Sequence, residues 1–465
     1  MLEGPAEDIT TMIDTRTLWG WIVLSLVCGL LTPVLTQAQV SEPDRTESHR
    51  VPADFMSFRG AQWLERAERV AEERPDEVLE TMSLEPGDVV ADIGCGSGYY
   101  ARRIAPHVAP AGRVYCVDIQ PEMLDIMRDL AAQEGVDGVV PVLGTPADPN
   151  LPAGDVDWII LADVYHEMSD YEAMLAGMLA SLAPGGRVAL LEYRVEDGTG
   201  DHLKADHAMS VRQVLAEWLP AGFALVDLHE FLPGQHLFIL TGADDATVPG
   251  ARVQSVDLFD AMARGLVEAE VRGRDASSVT INVRNLSGAR LVVTSPVGMS
   301  FVAPEGRRDM VARRDGWVRL FDDEPLAWQL RTVGRQRDLP PSGADETLVP
   351  VPPGQNPQLS ALMYAMQVGT YRVADSPLLY IPRAQGLEQA AVWIAEADPV
   401  YDEIADEVGD DRLPAQYAVA FALVYCDFAG VDVTATRVWA DHERIFGVLR
   451  DPGLSAWHQL KTAGR

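Results

Sequence analysis

The hydrophobic positions between Val51 and about Leu240 form two kinds of run. Short runs that are apolar throughout predict buried strands; they are "DVVADIG", "GRVYCVDI", "GVVPVLG", "VDWIILAD" and "GGRVALLEY". Segments with helical periodicity lie between them; they are "RVAEERPDEVLETMSL", "YYARRIAPHV", "EMLDIMRDLAAQEG" and "DYEAMLAGMLASL". Wholly apolar strands separated by helices are typical of a parallel sheet covered on both faces. We therefore predict an α/β domain with a doubly wound, Rossmann-like sheet and a ligand at the carboxyl ends of its strands.

The pattern changes after Asp244. Period-two alternation in "SVTINVRNLSGARLVVTSPVGMSFV", "RDMVARRDGWVRLF" and "PLAWQLRTVGR" predicts an antiparallel β-sandwich. The segment "DLPPSGADETLVPVPPGQNP" reads as a linker, and "PQLSALMYAMQVG", "LEQAAVWIAEA" and "LPAQYAVAFALVYCDF" predict a small all-α region. The predicted domains are thus residues 51–243 for the α/β domain, 244–340 for the β-sandwich-like domain, and 341–465 for the linker and helices.

Residues 1–50 contain an uncharged apolar run from Leu18 to Leu35. A run of this length followed by a polar segment indicates either a signal peptide, with Ala38 as the cleavage residue, or a short membrane anchor. Both interpretations stay open. We expect a membrane-associated or exported protein, and the side of the membrane on which the α/β domain lies is left undetermined.

Charge and cysteine content narrow the function classes. The chain has 70 acidic and 37 basic residues and a formal net charge of -33, which speaks against a nucleic-acid partner. The spacing of its histidines and cysteines does not predict a metal centre. Cys95 and Cys116 are interpreted as small buried residues, and together with Cys426 they favour a reducing compartment.

Three glycines follow the first predicted strand and open the next helix. At Gly94, Gly96 and Gly98 a ligand can approach the backbone amides because no Cβ stands in the way. This signal alone is weak, since Gly96, Gly98 and Ala101 also satisfy the dinucleotide-binding pattern. An NAD(P)-dependent oxidoreductase is therefore one alternative.

Two carboxylates sharpen the choice of ligand. Asp118 ends the second strand 20 positions after Gly98, where a carboxylate can accept hydrogen bonds from both hydroxyls of a ribose. Asp92 lies two residues before the first glycine; its charge suits a cationic amino-acid tail and suits pyrophosphate badly. A ligand with adenosine at one end and a sulfonium and an ammonium at the other fits both residues.

These residues carry a resemblance to a known family. The blocks "VVADIGCGSGYY", "VYCVDIQPEML", "GTPADPNLPAGDVDWIILADVYHEM" and "LAPGGRVALLEY" resemble, in order and spacing, class I S-adenosylmethionine-dependent methyltransferases. They are most similar to the small-molecule branch that includes the ubiquinone and menaquinone biosynthesis C-methyltransferases. The resemblance covers about Phe55 to Leu240. It implies S-adenosylmethionine as cofactor and, for its binding, Asp92, Gly94, Gly96, Gly98, Asp118, Ile119, Asp148 and Asp163.

The resemblance also implies a role for each position. Asp92 and the amides of the glycine loop would hold the methionine part, Asp118 the ribose, and Ile119 one face of the adenine. Asp148 would accept a hydrogen bond from the adenine amino group. Asp163 would face the sulfonium end, and the leading block "ADFMSFRGAQWLERAERVAEERPDEVL" would cover the cofactor.

Candidate catalytic residues follow the strand end in "DVYHEM". His166 is the preferred base because the ordinary pKa of histidine lies near neutrality, and Tyr165 is a second candidate. A histidine that only packs against the next helix is the competing interpretation of His166. Methyl transfer itself needs mainly in-line positioning of the acceptor.

The predicted function is S-adenosylmethionine-dependent methyl transfer to a small-molecule or lipophilic acceptor. The chain lacks the Asn/Asp-Pro-Pro-aromatic motif of family members that methylate bases. Besides the oxidoreductase, a non-catalytic exported binding protein with a retained methyltransferase fold is an alternative. The C-terminal domains carry no catalytic constellation and are expected to contact a partner or the cell envelope.

Overall fold

The structure is a computed structural model, and it describes residues 51–245, 247, 252–373 and 378–463. The predicted signal peptide or anchor within residues 1–50 lies outside the described residues. Within these ranges, no helix has both the length and the apolar character of a membrane span.

A seven-stranded sheet organises the first part of the chain, in the order β3-β2-β1-β4-β5-β7-β6. Strands β1 to β5 are parallel, and β7 is antiparallel to both β5 and β6. The predicted doubly wound α/β domain is confirmed. The strands are β1 Val89–Ile93, β2 Arg113–Asp118, β3 Val139–Leu143, β4 Val156–Ala162, β5 Leu182–Tyr193, β6 Phe223–His229 and β7 Gln235–Gly242.

Helices precede and cover this sheet. They are α1 Ala61–Leu64, α2 Arg69–Glu73, α3 Pro75–Met82, α4 Tyr99–Val108, α5 Pro121–Glu134, α6 Tyr171–Ser181 and α7 Val211–Trp218. The pattern predicted one helix over α2 and α3, but the chain breaks at Arg74, whose φ is 43°. The cause is Pro75, because the proline ring disfavours helical geometry in the residue before it. Alternate residues of β4 enter two separate hydrophobic cores, one on each face of the sheet.

The second part is a β-barrel, not the predicted β-sandwich. Strand β9 pairs with β10 on one side and with β16 on the other, so six strands close in the order β10-β15-β13-β12-β16-β9. The three remaining strands form a sheet, β14-β11-β8, which shares the hydrophobic core of the barrel. The elements are β8 Gln254–Asp257, α8 Leu258–Ala263, β9 Val267–Asp275, β10 Ser278–Asn285, β11 Leu291–Ser295, β12 Ser300–Val302, β13 Met310–Ala312, β14 Gly316–Leu320, β15 Leu326–Gly334 and β16 Thr347–Val351. Period-two alternation is common to both architectures and does not specify which strands pair.

The predicted helical region follows the barrel. Its elements are α9 Pro357–Val368, β17 Thr370–Arg372, β18 Leu378–Tyr380, α10 Gln385–Ala397, α11 Tyr401–Val408, α12 Ala415–Phe428, α13 His442–Phe446 and α14 Pro452–Ala463. The hydrophobic core of the helical region includes Val311 and Val333 of the barrel. Strand β16 lies beyond residue 340, so the barrel includes part of the segment assigned to the linker. The described residues from Val51 onward group as one compact unit.

Candidate active site

The glycine loop joins β1 to α4 in a conformation that requires glycine. Gly94, Gly96 and Gly98 have φ angles of +68°, +52° and +80°, a region that residues with a Cβ rarely adopt. A Cβ on Gly94 would lie 2.3 Å from Cγ2 of Val164, and one on Gly96 would lie 2.7 Å from Cδ1 of Leu64. The loop therefore keeps its backbone close to its neighbours.

Asp118 lies at the end of β2 and holds this loop. Its Oδ2 accepts a hydrogen bond from the Gly96 N–H (3.0 Å), and its Oδ1 accepts one from the Gln120 N–H (2.8 Å). Each carboxylate oxygen has two lone pairs, so both keep capacity for a further donor such as a ribose hydroxyl. Ile119 is the next residue, and 39% of its surface is exposed. Its side chain is thus accessible to an adenine ring at the strand end.

Asp148 lies at the same edge of the sheet. It is exposed, and its Oδ1 accepts a hydrogen bond from the Asn150 N–H (2.8 Å). The turn that carries it stands beside Asp118, because the Gly144 N–H donates to the Asp118 carbonyl (3.0 Å). The structure therefore brings Asp148 to the expected end of the sheet.

Asp92 and Asp163 are carboxylates in poorly solvated surroundings. Oδ2 of Asp92 accepts a hydrogen bond from the Ala101 N–H (2.9 Å), and burial raises the pKa of Asp92 to about 7. Asp163 follows β4 with a φ of 53°, and its Oδ2 accepts a hydrogen bond from Nε2 of Gln235 (3.1 Å). Its Oδ1 is buried and has no hydrogen-bond partner among the described residues. Burial, together with nearby carboxylates, raises the pKa of Asp163 well above its usual range.

Glu73, on α2, is one of those nearby carboxylates, and the sequence interpretation missed it. Its Oε1 accepts a hydrogen bond from Nε of Arg69 (2.6 Å), whereas its Oε2 is buried without a partner in the described part of the chain. The hydroxyl of Tyr100 is likewise buried without a hydrogen-bond partner among the described residues. No sequence motif marks Glu73; the only available signal is its place in the block expected to cover the cofactor.

That block does lie against the site. Leu64 contacts the position of Gly96, and Glu65 accepts hydrogen bonds from the hydroxyl of Ser97 and from Arg102. Further along, the Gln120 side chain bonds to the backbone of Met56 and Phe58 (2.8 and 2.9 Å). The segment before α3 is therefore attached to both the glycine loop and the end of β2.

The acidic groups fit a cationic ligand. Asp163 and Glu73 each offer a buried oxygen that lacks a donor, and their mutual repulsion disfavours a second negative charge there. A sulfonium or ammonium group would supply the missing positive charge, whereas a pyrophosphate would add to the repulsion. The residues present thus fit S-adenosylmethionine better than a dinucleotide.

His166 lies near these acids but in a different protonation state from the one expected. Its ring Nδ1 lies 2.8 Å from Oε2 of Glu192, and its backbone N–H donates to Oε1 of the same carboxylate (3.1 Å). Burial disfavours the imidazolium, but Glu192 outweighs burial and raises the pKa of His166 to about 9. A pKa of about 9 favours the imidazolium form of His166 at neutral pH, which can donate a proton but cannot accept one. Its ring also packs against His207, with 5.2 Å between the ring centroids.

Tyr165 is a core residue, which corrects its selection as a catalytic candidate. It is fully buried, its hydroxyl donates to Oε2 of Glu217 (2.6 Å), and its ring packs edge-on against Trp218 (5.3 Å). The hydroxyl is thus engaged on the side of α7. A short motif could not reveal this, because Glu217 is 52 positions away in sequence.

A disulfide bond joins the glycine loop to β2. Cys95 and Cys116 are bonded, with their Cα atoms 5.4 Å apart, so they are not the free buried thiols expected from the sequence. The strand register explains their proximity, because Cys116 pairs with Asp92 just before the loop. Cys426 is free and buried. The argument for a reducing compartment therefore no longer holds.

Comparisons with known proteins agree with this geometry. The family described as a methyltransferase domain matches residues 90–186. The ubiquinone/menaquinone biosynthesis C-methyltransferase of Ectopseudomonas mendocina is 34% identical over 116 residues, 25% of this chain and 45% of that protein. The protein-L-isoaspartate O-methyltransferase of Aeropyrum pernix is 32% identical over 116 residues, 24% of this chain and 42% of that protein. The matched stretch thus spans less than half the length of these relatives.

A solved structure was also matched. It is an S-adenosylmethionine-dependent methyltransferase from Aquifex aeolicus, with 21% identity and a TM-score of 0.37, covering 40% of this chain and 98% of the other. The family match includes the glycine loop and the strand ends that carry Asp118 and Asp163. Residues 90–186, which hold most of strands β1 to β5, therefore match a methyltransferase domain, in agreement with the S-adenosylmethionine-dependent class that the sequence resembles.

Proposed function

We propose that the protein transfers the methyl group of S-adenosylmethionine to a small-molecule or lipophilic acceptor. The observation that carries the proposal is the pair of donor-free buried oxygens, Oδ1 of Asp163 and Oε2 of Glu73, beside a glycine loop held by Asp118. When bound, the cofactor supplies a methyl group made electrophilic by its sulfonium. The chain has to bind, orient and enclose it.

In this proposal each residue acts through the contacts described above. Asp163 and Glu73 neutralise the cationic end, and Asp92 adds to the negative potential. Asp118 accepts hydrogen bonds from the ribose while its bond to Gly96 keeps the loop in place. Asp148 and Ile119 take the adenine end. The segment before α3 covers the cofactor and excludes water.

We assign removal of the acceptor's proton to Glu167 in preference to His166. An imidazolium cannot accept a proton, so His166 serves as a base only as the pH approaches about 9. Burial raises the pKa of Glu167 to about 7, the value that suits a base working near neutrality. Glu167 lies next to His166 in the turn after β4, near the backbone of Met56. His166, held by Glu192, would then orient this turn and stabilise negative charge.

The proposal defines the methyl acceptor by its chemical class, a small or lipophilic molecule. The two relatives named above are a C-methyltransferase and an O-methyltransferase, so similarity leaves the acceptor atom open. A lipophilic acceptor is supported by large apolar side chains exposed on the segment that covers the site, namely Val51, Phe55, Trp63 and Val70. The same side chains support an association with a membrane. For the location we propose a membrane-associated or exported protein, and the Cys95–Cys116 disulfide supports an oxidising surrounding.

The test is isothermal titration of the full-length protein with S-adenosylmethionine, its demethylated product, and NADH. We expect micromolar binding of the first two and none of NADH. The variant Asp163→Asn should weaken binding of S-adenosylmethionine at least about tenfold, because asparagine cannot ionise when the cationic ligand binds, while it tolerates the left-handed backbone. The matched control Asp125→Asn, on the exposed face of α5, should bind as the wild type does. Folded protein that binds neither S-adenosylmethionine nor its product would overturn the proposal.

A further inference from the structure

Four arginines meet where the methyltransferase domain, the barrel and the helical region join. Arg313 and Arg314 follow β13, Arg331 lies on β15, and Arg383 precedes α10. The exposed fractions of Arg313, Arg314 and Arg383 are 2%, 2% and 6%. We call these four residues the arginine cluster. Burial of this many guanidinium groups requires compensation by negative charge or by hydrogen-bond acceptors.

The compensation among the described residues is incomplete. Arg313 and Arg314 both bond to the carboxylate of Glu388, and Arg331 bonds to Asp201 (2.6 Å). Two carboxylates thus pair with three of the four guanidinium groups, and Gln385 adds a neutral acceptor for Arg313 (2.6 Å). Among the described residues, Arg383 donates to a backbone acceptor alone, the carbonyl of Ala205 (2.9 Å). Oδ1 of the nearby Asp206 lies 2.6 Å from Nδ1 of His207, whereas Oδ2 of Asp206 and Oδ1 of Asp201 are buried without a hydrogen-bond partner among the described residues. Burial and repulsion from Arg314 lower the pKa of Arg383 to about 10.

Unused donors accompany the excess charge. Within the arginine cluster, five buried nitrogens have no hydrogen-bond partner among the described residues: Nη2 of Arg313, Nε of Arg314, Nη1 of Arg331, and Nε and Nη1 of Arg383. Tyr425 adds a buried hydroxyl in the same condition, 3.7 Å from the position of a Cβ on Gly369. The same Cβ would lie 2.6 Å from Cβ of Ala205, the residue that binds Arg383. The hydroxyl therefore stands at the same junction.

We propose that the arginine cluster is a binding site for an oxyanion, a phosphate or a carboxylate. Planar guanidinium groups match the oxygen geometry of both anions, and a buried anion would satisfy donors that otherwise remain unpaired. The site is separate from the cofactor site. It is connected to it through the segment from Ala205 to His207, because the His207 ring packs against His166. Occupancy would hold three parts of the chain together at one point.

The probe is inorganic phosphate, titrated into the full-length protein at constant ionic strength set with sodium chloride. We expect saturable binding and a midpoint of thermal unfolding that rises with phosphate concentration. Acetate in place of phosphate distinguishes a carboxylate site from a phosphate site. Glycerol phosphate distinguishes a free ion from the anionic end of a larger molecule, since only an open site accepts the attached chain. Saturable binding of any of these anions supports the proposal.

Two variants locate the site. Arg383→Met keeps most of the side-chain volume and should weaken phosphate binding at least about tenfold, as expected for a lost charged hydrogen bond. Tyr425→Phe removes only a hydroxyl and covers the case in which Arg383→Met does not fold; it should weaken binding several-fold. The matched control Tyr417→Phe, whose hydroxyl accepts from the Arg450 N–H (3.1 Å), should bind phosphate normally. Tyr425→Phe should bind S-adenosylmethionine as the wild type does, which separates this proposal from the methyltransferase function. No saturable binding of any anion, or equal affinity in the wild type and Tyr425→Phe, would overturn it.

Discussion

The substitution Glu192→Gln tests the electrostatics of the active site without knowledge of the acceptor. Glu192 holds the imidazole of His166 through Nδ1 at 2.8 Å, and both side chains are buried. Its charge raises the pKa of His166 from 6.5 to about 9, against the effect of burial. Glutamine has the same shape and removes the charge. With burial left as the dominant influence, the pKa of His166 should fall below 6.5.

The magnitude follows from the linkage between protonation and folding. A histidine whose pKa is higher in the folded state stabilises that state fully below its unfolded pKa, and the stabilisation is lost as the pH rises through the folded value. The two pKa values differ by about 2.5, which at about 1.4 kcal/mol per pH unit corresponds to about 3 kcal/mol. The wild type should lose this amount between about pH 6.5 and about pH 9.

The assay is urea unfolding of both proteins across this pH range. The difference in free energy of unfolding between the wild type and Glu192→Gln should be largest near pH 6.5 and should shrink as the pH approaches 9. His236, whose pKa is raised to about 10, titrates in both proteins and cancels in the difference. A second variant, His166→Gln, should remove the same pH dependence. Parallel curves for the wild type and Glu192→Gln would refute the proposed pairing.

Three further predictions concern the glycine loop. Asp118→Ala removes the acceptor for the ribose and for the Gly96 N–H, and titration calorimetry should show S-adenosylmethionine affinity reduced at least about tenfold; an unchanged affinity would contradict the role. Gly94→Ala places a Cβ within 2.3 Å of Val164 at a φ of +68°. Urea unfolding should therefore show a free energy of unfolding lower by about 1–3 kcal/mol. An unchanged free energy of unfolding would argue against this loop conformation. Reduction of the Cys95–Cys116 bond opens a loop closed over 21 positions and should destabilise the folded state by about 3 kcal/mol. The midpoint of thermal unfolding should therefore be lower in the reduced protein. Equal midpoints in the oxidised and reduced protein would show that the bond does not constrain the loop.

The α/β domain could be predicted because its determinants are local. The apolar strands, the intervening helices and the glycines after β1 each lie within short stretches of sequence, and parallel strands end at a common edge. Asp118 and Asp163 were predicted at that edge, and the structure has Asp118 as the last residue of β2 and Asp163 directly after β4. Helix α2 ends at Arg74 for an equally local reason, the following proline, although periodicity alone suggested one long helix.

Errors arose where a residue's role depends on distant partners. Tyr165 sits in a motif beside His166, yet its hydroxyl is taken by Glu217 from another element. Glu73 contributes a buried oxygen to the site without any sequence motif. The pKa of His166 could not be judged from its neighbours in sequence, because Glu192, which controls it, lies 26 positions away.

The sequence by itself determined the fold class of the α/β domain, the glycine loop after β1 and the presence of carboxylates at the ends of its strands. These features depend on periodicity, backbone freedom and strand ends, all of which are encoded within a few residues. Only the tertiary structure decided that six strands close into a barrel, that Cys95 and Cys116 are bonded, and that Glu192 raises the pKa of His166. The physical reason is that strand pairing, disulfide formation and pKa values depend on distances between residues far apart in the chain, and only folding sets those distances.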